Sequence, residues 1–342
     1  MQPTSHPDQP VRHSYPLAVS DAGFSSSLSL LLSTLPYALV RFGILFGVSV
    51  ATLIWYGVTF GGGAFIGQRV PLLGYAWIFG GLGVWGYLYW FIVRYFLYLL
   101  KAGHIAVLTE LMTHGRVNNG QEGMFQYGTR VVKERFGEVN AMFALDALVA
   151  GVVGAFNRTL NWISNLLPIP GLSSLTNLVT AVVRAATTYI DETLFSYSLA
   201  RGDENKWRSA KDGLIYYAQN SQEILKTGVW IVVLDWALTF VAWAVCLVPA
   251  GVLAWLLPPG GFGQFGVLLL AALAAANLRS AFLKPLFLIM VMVKFHVSVR
   301  NQPINLEWDQ KLSSISDKFV ELKSKIFEAP TAPNLPAVSP SP

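Results

Sequence analysis

The sequence predicts an all-α, polytopic membrane protein built as a bundle of transmembrane helices. Only 13% of its 342 residues are charged and 54% are hydrophobic, whereas soluble domains carry about 25% charged residues. The mean hydropathy of +0.49 agrees with this composition. The run from Gly228 to Leu257 contains one charged residue, Asp235, and is longer than the roughly 20 helical residues that cross a hydrocarbon core.

Six segments are predicted to span the membrane, four of them strongly apolar. In chain order the spans are 42–60, 73–100, 142–156, 175–199, 228–257 and 265–293. The third and fourth are weaker, because the third contains Asp146 and the fourth contains Arg184, Asp191 and Glu192. These two segments could instead form a helical hairpin that lies on the membrane surface.

The basic residues predict that both termini are cytoplasmic. With six spans, the loops on one side contain only Arg69 and Arg158, whereas the opposite loops and the C-terminal tail carry most of the other Lys and Arg residues. Short cytoplasmic loops are enriched in these residues. Four spans keep the same parity but place the almost uncharged loop 161–177 in the cytoplasm. Six spans are therefore favoured, in a plasma membrane or a bacterial inner membrane.

Outside the bundle, which covers 25–300, the sequence predicts two disordered tails and one cytoplasmic helix. Residues 1–24 are rich in proline and lack an apolar core, which indicates a disordered tail and not a signal peptide. In 304–328 apolar residues recur at spacings of three and four, which predicts an amphipathic helix. This helix either docks on the protein's own cytoplasmic face or mediates a homo-oligomer. Residues 329–342 are Pro-rich and are predicted to be disordered.

Ionisable residues inside the predicted spans are the candidate functional residues. Charges at membrane depth are costly unless they are paired, and they often mark solute or ion pathways. Counted at 1.5 Å per residue, Asp235 and Lys284 both lie about 14 Å from the cytoplasmic ends of adjacent spans and can pair. Arg94 and Asp146 enter at comparable depth, and Arg279 lies near the middle of the last span. The charges either line a path for a small-molecule solute or fix the register of the helices.

Enzyme chemistry has little support in the sequence. It contains no HExxH, P-loop, GxSxG or CxxC motif. His104 and His114 are ten residues apart, about 15 Å along one helix, which is too far to share a metal ion. We therefore expect no enzymatic activity, no cofactor, no metal site and no nucleic-acid partner.

Residues 188–300 resemble the C-terminal part of choline transporter-like proteins. The shared features are Tyr189-Ile190, Ser209-Ala210-Lys211-Asp212, Asn220, Val233-Leu234-Asp235 and Phe240. The resemblance implies a membrane transport fold. That family has about ten spans and a large external region, whereas six spans are predicted here, so no substrate site is carried over.

Two functions are compatible with these features. The first is a transporter or channel that passes a small solute through a polar core of Asp235, Lys284, Arg94 and Asp146. The second is a non-transporting membrane scaffold, which binds anionic lipid or protein partners through its basic cytoplasmic face and C-terminal helix. The lipid bilayer is a partner in both.

Overall fold

The computed structural model describes residues 15–135, 147–155, 176–202, 205–258 and 262–328, and their regular elements are helices. The all-α prediction is therefore confirmed. The helices are α1 Phe24–Ser33, α2 Leu35–Gly67, α3 Pro71–Phe91, α4 Leu97–His114, α5 Met124–Arg135, α6 147–155, α7 Thr176–Thr187, α8 Ile190–Arg201, α9 Lys206–Gln219, α10 Ser221–Leu256, α11 Phe262–Leu278, α12 Lys284–Val299, α13 Leu306–Ile315 and α14 Asp317–Glu328. One π-helical turn, Ile92–Phe96, joins α3 to α4, and another, Arg279–Leu283, joins α11 to α12.

The first long hairpin consists of α2 and α3, which run antiparallel. The indole Nε1 of Trp55 donates to the carbonyl of Gly81 (2.8 Å), and that of Trp85 donates to the hydroxyl of Thr52 (3.1 Å). Near the tip the two backbones almost touch, because a Cβ atom on Gly74 would lie 2.6 Å from the carbonyl oxygen of Gly63. Small residues at such crossings allow membrane helices to pack closely.

The second long hairpin pairs α10 with the continuous helix formed by α11, the π turn and α12. At its tip, Gln264 Nε2 donates to the carbonyl of Ala254 (2.9 Å). At the opposite end, Lys294 Nζ forms an ion pair with Glu223 Oε2 (2.9 Å). The hairpins meet where Asn277 Nδ2 donates to the hydroxyl of Ser49 (3.0 Å). The four helices thus lie side by side in the order α3, α2, α11, α10.

Three described helices are long and apolar enough to cross a membrane: α2, α10 and the continuous helix Gly263–Val299. They indicate a multi-pass membrane protein, as the sequence predicts. Few of the large apolar side chains on α2 and α10 are buried, as expected of surfaces that face lipid. The helix α3 is also free of charged residues over 21 positions, but its many Gly, Tyr and Trp residues lower its hydropathy.

The described parts of the two weaker predicted spans do not form long helices. Segment 175–199 is divided between α7 and α8, each of 12 residues, and a helix of that length reaches only about 18 Å. In segment 142–156 only 147–155 is described. There Leu148, Val149 and Val152 pack into a protein core. The apolar side chains in these described parts are mainly buried in the protein core.

A compact helical body surrounds α12, whose side chains are buried on every face, as in Phe287, Ile289 and Met292. A helix that is apolar all round needs such an environment. Residues 15–23, which fall in the segment predicted as a disordered tail, pack on this body. The phenol of Tyr15 is hydrogen-bonded to His296 Nδ1 (2.8 Å), and His296 Nε2 to the hydroxyl of Ser196 (2.8 Å).

The C-terminal segment predicted as one amphipathic helix, 304–328, contains two helices separated at Ser316. Leu312, Phe319 and Leu322 are buried in the body, so the apolar stripe is covered by the protein itself. Residues 1–14 and 329–342, both predicted as disordered, lie outside the described residues.

His104 is enclosed where α4 enters the body. Its Nε2 is hydrogen-bonded to the hydroxyl of Thr34 (2.8 Å), and its ring stacks on Tyr37 with centroids 4.8 Å apart. Burial, with a smaller contribution from the charge of Arg41, lowers the pKa of His104 to about 3. The folded protein therefore holds this imidazole neutral.

We predict that His104 makes the protein sensitive to acid. Between about pH 6.5 and 3 the unfolded state binds one more proton at this residue than the folded state. The free energy of unfolding should therefore fall by about 1.4 kcal/mol for each pH unit on this account. The variant His104→Gln, measured by unfolding in detergent at several pH values, should show a correspondingly shallower slope. His114→Gln, at an exposed position, should match the wild type, and equal slopes in all three proteins would contradict the assignment.

Candidate functional site

Asp235 and Arg279 form a bidentate ion pair between the two arms of the second hairpin. Arg279 Nε donates to Asp235 Oδ1 (2.9 Å) and Arg279 Nη2 donates to Asp235 Oδ2 (2.6 Å). Thr239, one turn further along α10, donates its hydroxyl to Asp235 Oδ1 (3.2 Å) and accepts from Arg279 Nε (3.0 Å). Bidentate, charge-assisted pairs fix geometry as well as supplying attraction.

The partner of Asp235 is Arg279, not the Lys284 expected from the sequence. Pairing with Lys284 would require Lys226 and Lys294 to lie at the same level, but Lys294 lies opposite Glu223. The two helices are therefore offset by about one turn from the predicted register, and Arg279 takes the place of Lys284. Helix register depends on packing at the hairpin tip and in the body, which the spacing of charges does not reveal.

The other predicted site residues are distributed differently. Lys284 lines the same cavity as Asp235 and Arg279, but within the described ranges it has no carboxylate at ion-pair distance. Arg94 lies on the π turn between α3 and α4, and its side chain is outside the described part of the structure, as is Asp146. Of the predicted cluster of four charges, the structure therefore brings Asp235 and Lys284 to one cavity, together with Arg279.

The ion pair lies near one boundary of the hydrocarbon layer if α10 spans it. Asp235 is 21 residues from Leu256, the last residue of α10, which corresponds to about 31 Å of helix. A hydrocarbon core is about 30 Å thick. With Leu256 at the far boundary, Asp235 lies at the boundary next to the compact body. The cost of placing an ionised carboxylate there is much lower than at the bilayer centre.

A cavity of about 620 Å³ opens between α7, α10 and α12 and reaches the ion pair. Its polar lining consists mainly of Asp235, Arg279, Lys284, Arg184 and Tyr189. Arg184 and Tyr189 were not predicted as site residues, because the sequence does not show that their segment packs beside Asp235 on α10. Three cationic side chains and one carboxylate therefore share this space.

A second cavity, of about 590 Å³, lies on the hydrocarbon side of the same ion pair. It shares Asp235, Trp236 and Arg279 with the first cavity and continues along Phe240 and Trp243. The ion pair thus stands between a polar cavity next to the body and a more aromatic one next to the hairpin. The sequence does not predict this pair of cavities, because their position depends on which faces of α10 and α11 are in contact.

A second group of charges lies next to the first cavity on the body side. Lys101 Nζ forms an ion pair with Glu192 Oε1 (2.7 Å), and Arg41 lies close enough to the Glu192 carboxyl and the Tyr189 phenol to interact with them electrostatically. Burial and a hydrogen bond with Asp191 raise the pKa of Glu192 to about 8, although Lys101 opposes this shift. Arg41 brings a further positive charge close to Tyr189 and Lys284, which line the cavity.

Metal chemistry has no visible centre among the described residues, where no three His, Cys, Asp or Glu side chains are placed to hold one ion. Comparison of the chain with protein-family models, with curated proteins and with solved structures found no match in any of the three. The geometry of the site is therefore the basis on which a function can be proposed.

We predict that Asp235 is energetically coupled to Arg279 and not to Lys284. In a double-mutant cycle, Asp235→Asn and Arg279→Gln should show a coupling free energy of about 1 kcal/mol or more, because each single change leaves its partner without a counter-ion. The cycle of Asp235→Asn with Lys284→Gln is the matched control and should give clearly weaker coupling, because these two residues have no direct ion pair. Unfolding of the purified protein in mixed micelles provides the measurement, and stronger coupling to Lys284 would reverse the assignment.

Proposed function

We propose that the protein is a membrane transporter that binds a small charged solute at the Asp235–Arg279 pair. The observation that carries this proposal is the position of the pair between two cavities, one beside the compact body and one beside the hairpin. A charged solute that enters the first cavity competes with one member of the pair for the other. The energy of separating Asp235 from Arg279 is then offset by new contacts with the solute.

The π turn at Arg279–Leu283 supports this proposal. Such turns often occur at functional sites in helices, and their backbone hydrogen bonds can rearrange to an ordinary α-helical pattern. A change of one residue in register would rotate Arg279 by about 100° around the helix axis. A local rearrangement of this kind would open and close the ion pair without unfolding the helix.

The resemblance to choline transporter-like proteins is part of the proposal. Two of the residues that carry it, Tyr189 and Asp235, line the same cavity, although they are 46 positions apart in the chain. Asp212, another of them, forms an ion pair with Arg201 (2.8 Å) inside the body. The resemblance thus includes one residue at the ion pair and one that ties α8 to α9.

The scaffold function has weaker support in this geometry. The apolar stripe of the C-terminal helices is occupied by contacts of Leu312, Phe319 and Leu322 within the body. That leaves the basic cytoplasmic face as the surface for anionic lipid or protein partners. Removing residues after Gln302 would then disrupt the body instead of releasing a separate binding module.

We predict that neutralising the ion pair abolishes solute flux. Proteoliposomes would be loaded with radiolabelled choline or inorganic phosphate, one solute of each charge, and efflux compared with protein-free vesicles. The variant Asp235→Asn/Arg279→Gln should reduce efflux at least about ten-fold, equivalent to about 1.4 kcal/mol in the barrier, because no charged partner remains for the solute.

The matched control for this experiment is Lys318→Gln/Glu321→Gln, which removes an exposed ion pair (2.7 Å) from α14, outside the site, and should leave efflux unchanged. Insertion of each variant is checked by the amount of protein recovered in the vesicles. A wild-type protein that passes neither solute faster than protein-free vesicles, or an active Asp235→Asn/Arg279→Gln variant, would contradict the proposal.

We predict that the compact body is cytoplasmic and the tip of the first hairpin is external. Cys246 is the only cysteine, so Cys246→Ser provides a background for single-cysteine labelling. An impermeant maleimide should label Arg69→Cys in intact cells, but should label Ser324→Cys only after permeabilisation. The reverse pattern would place the basic face outside and reject this orientation.

A further inference from the structure

We propose that the cavity between α7, α10 and α12 is a binding site for a phosphate-type anion, held by Arg184, Arg279 and Lys284. This inference deepens the proposed function and rests on it, because it names the chemical class that the same site takes. The same chemistry can be delivered by a soluble phosphate or by the headgroup of a phospholipid.

The charge balance of the cavity is the first argument. Arg184, Arg279 and Lys284 line it together with a single carboxylate, Asp235. Asp235 is already neutralised by its bidentate contact with Arg279. In the part of the chain that the structure describes, neither Arg184 nor Lys284 has a carboxylate within ion-pair distance, so the cavity keeps two uncompensated positive charges.

The surrounding elements do not remove this excess. Arg41 on α2 is close enough to Lys284 to repel it, and so is Arg279, whereas among the described residues Asp235 is the acidic group that attracts Lys284 appreciably. Glu192 on α8 is engaged by Lys101 at 2.7 Å. Like charges that line one cavity repel each other, and an anion bound between them relieves this repulsion. A dianionic phosphate group satisfies this requirement.

Geometry provides the second argument. The cavity of about 620 Å³ is large enough for a phosphate group with a substituent. Guanidinium groups match phosphate oxygens with paired N–H donors, while the Lys284 ammonium supplies a point charge. The phenol of Tyr189 also lines the space and supplies a further hydrogen-bond donor.

The level of the cavity in the membrane provides the third argument. Measured along α10, Asp235 lies about one hydrocarbon thickness from Leu256, so if α10 spans the membrane, the cavity lies where the hydrocarbon core meets the headgroup layer. Trp236, which borders it, is 79% exposed, and tryptophan is enriched at this interface. The second cavity, with Phe240 and Trp243, continues from the same point toward the hydrocarbon layer. A phospholipid could therefore place its phosphate in the first cavity and part of a chain in the second.

The test uses the full-length protein in neutral detergent and measures binding directly. One arm titrates inorganic phosphate at constant ionic strength and monitors tryptophan fluorescence. The other arm reconstitutes the protein into phosphatidylcholine vesicles containing about a tenth of phosphatidic acid and measures which lipid is retained after purification. Binding in the first arm alone identifies a soluble anion, retention in the second alone identifies a headgroup, and both together show that the site accepts either source.

The decisive variant is Arg184→Gln/Lys284→Gln, which leaves the Asp235–Arg279 pair in place. It should weaken anion binding or lipid retention at least about ten-fold. The matched control, Lys133→Gln/Arg300→Gln, removes two charges that do not line the cavity and should change binding less than about two-fold. Arg184→Lys/Lys284→Arg keeps both charges and should recover most of the binding, which separates loss of the site from loss of the fold.

Two outcomes would overturn the proposal. One is binding in neither arm, where equal retention of phosphatidic acid and phosphatidylcholine counts as no binding in the second arm. The other is equal weakening of binding by the cavity variant and its control. Because none of these measurements requires flux, they are independent of the transport experiment. Anion binding without flux would reject transport and keep the anion site, whereas flux without anion binding would do the opposite.

Discussion

Two continuous helices pass from an exposed apolar hairpin into a buried protein core, and this change of surroundings constrains the rest of the structure. One is α3 with α4, and the other is α11 with α12. Each has its π turn where the surroundings change, at Ile92–Phe96 and Arg279–Leu283. A π turn adds one residue to the helix and rotates the next helical segment by about 100°. The face that meets the neighbouring hairpin helix can therefore differ from the face that meets the body.

This constraint explains why the polar site lies at the junction. Charged side chains in the middle of a hairpin would face lipid, whereas charged side chains deep in the body would need complete pairing. If the hairpins span the membrane, the junction is where water, lipid headgroups and protein donors are all within reach. Asp235, Arg279 and Lys284 all lie within this zone, and α7 approaches it from the body with Arg184. The site is thus shared between the part of the protein that meets lipid and the part that does not.

Composition and the length of the apolar runs predicted the all-α class and the long hairpin helices, because these two features depend mainly on how hydrophobic each segment is. The same measure could not separate lipid-facing segments from core segments. Residues 147–155 and helix α8 are buried in protein, and the segments that contain them were assigned to the membrane for that reason. Hydropathy also cannot identify partners across helices. Asp235 was recognised as a residue that needs a counter-ion, but choosing Arg279 over Lys284 required the register set by the Glu223–Lys294 contact and the hairpin tip.

The side-by-side order of α3, α2, α11 and α10 has a consequence for the aromatic cavity beside the ion pair. The described residues that line this cavity all belong to α10, α11 and the π turn that follows it, so in a bilayer the acyl chains would form its remaining wall. The width of the cavity then depends on the length and unsaturation of the lipid acyl chains as much as on Phe240 or Trp243. Membrane composition would in this way act on the charged pair without any contact to a headgroup, and cells that adjust their lipids to temperature would adjust this pocket at the same time.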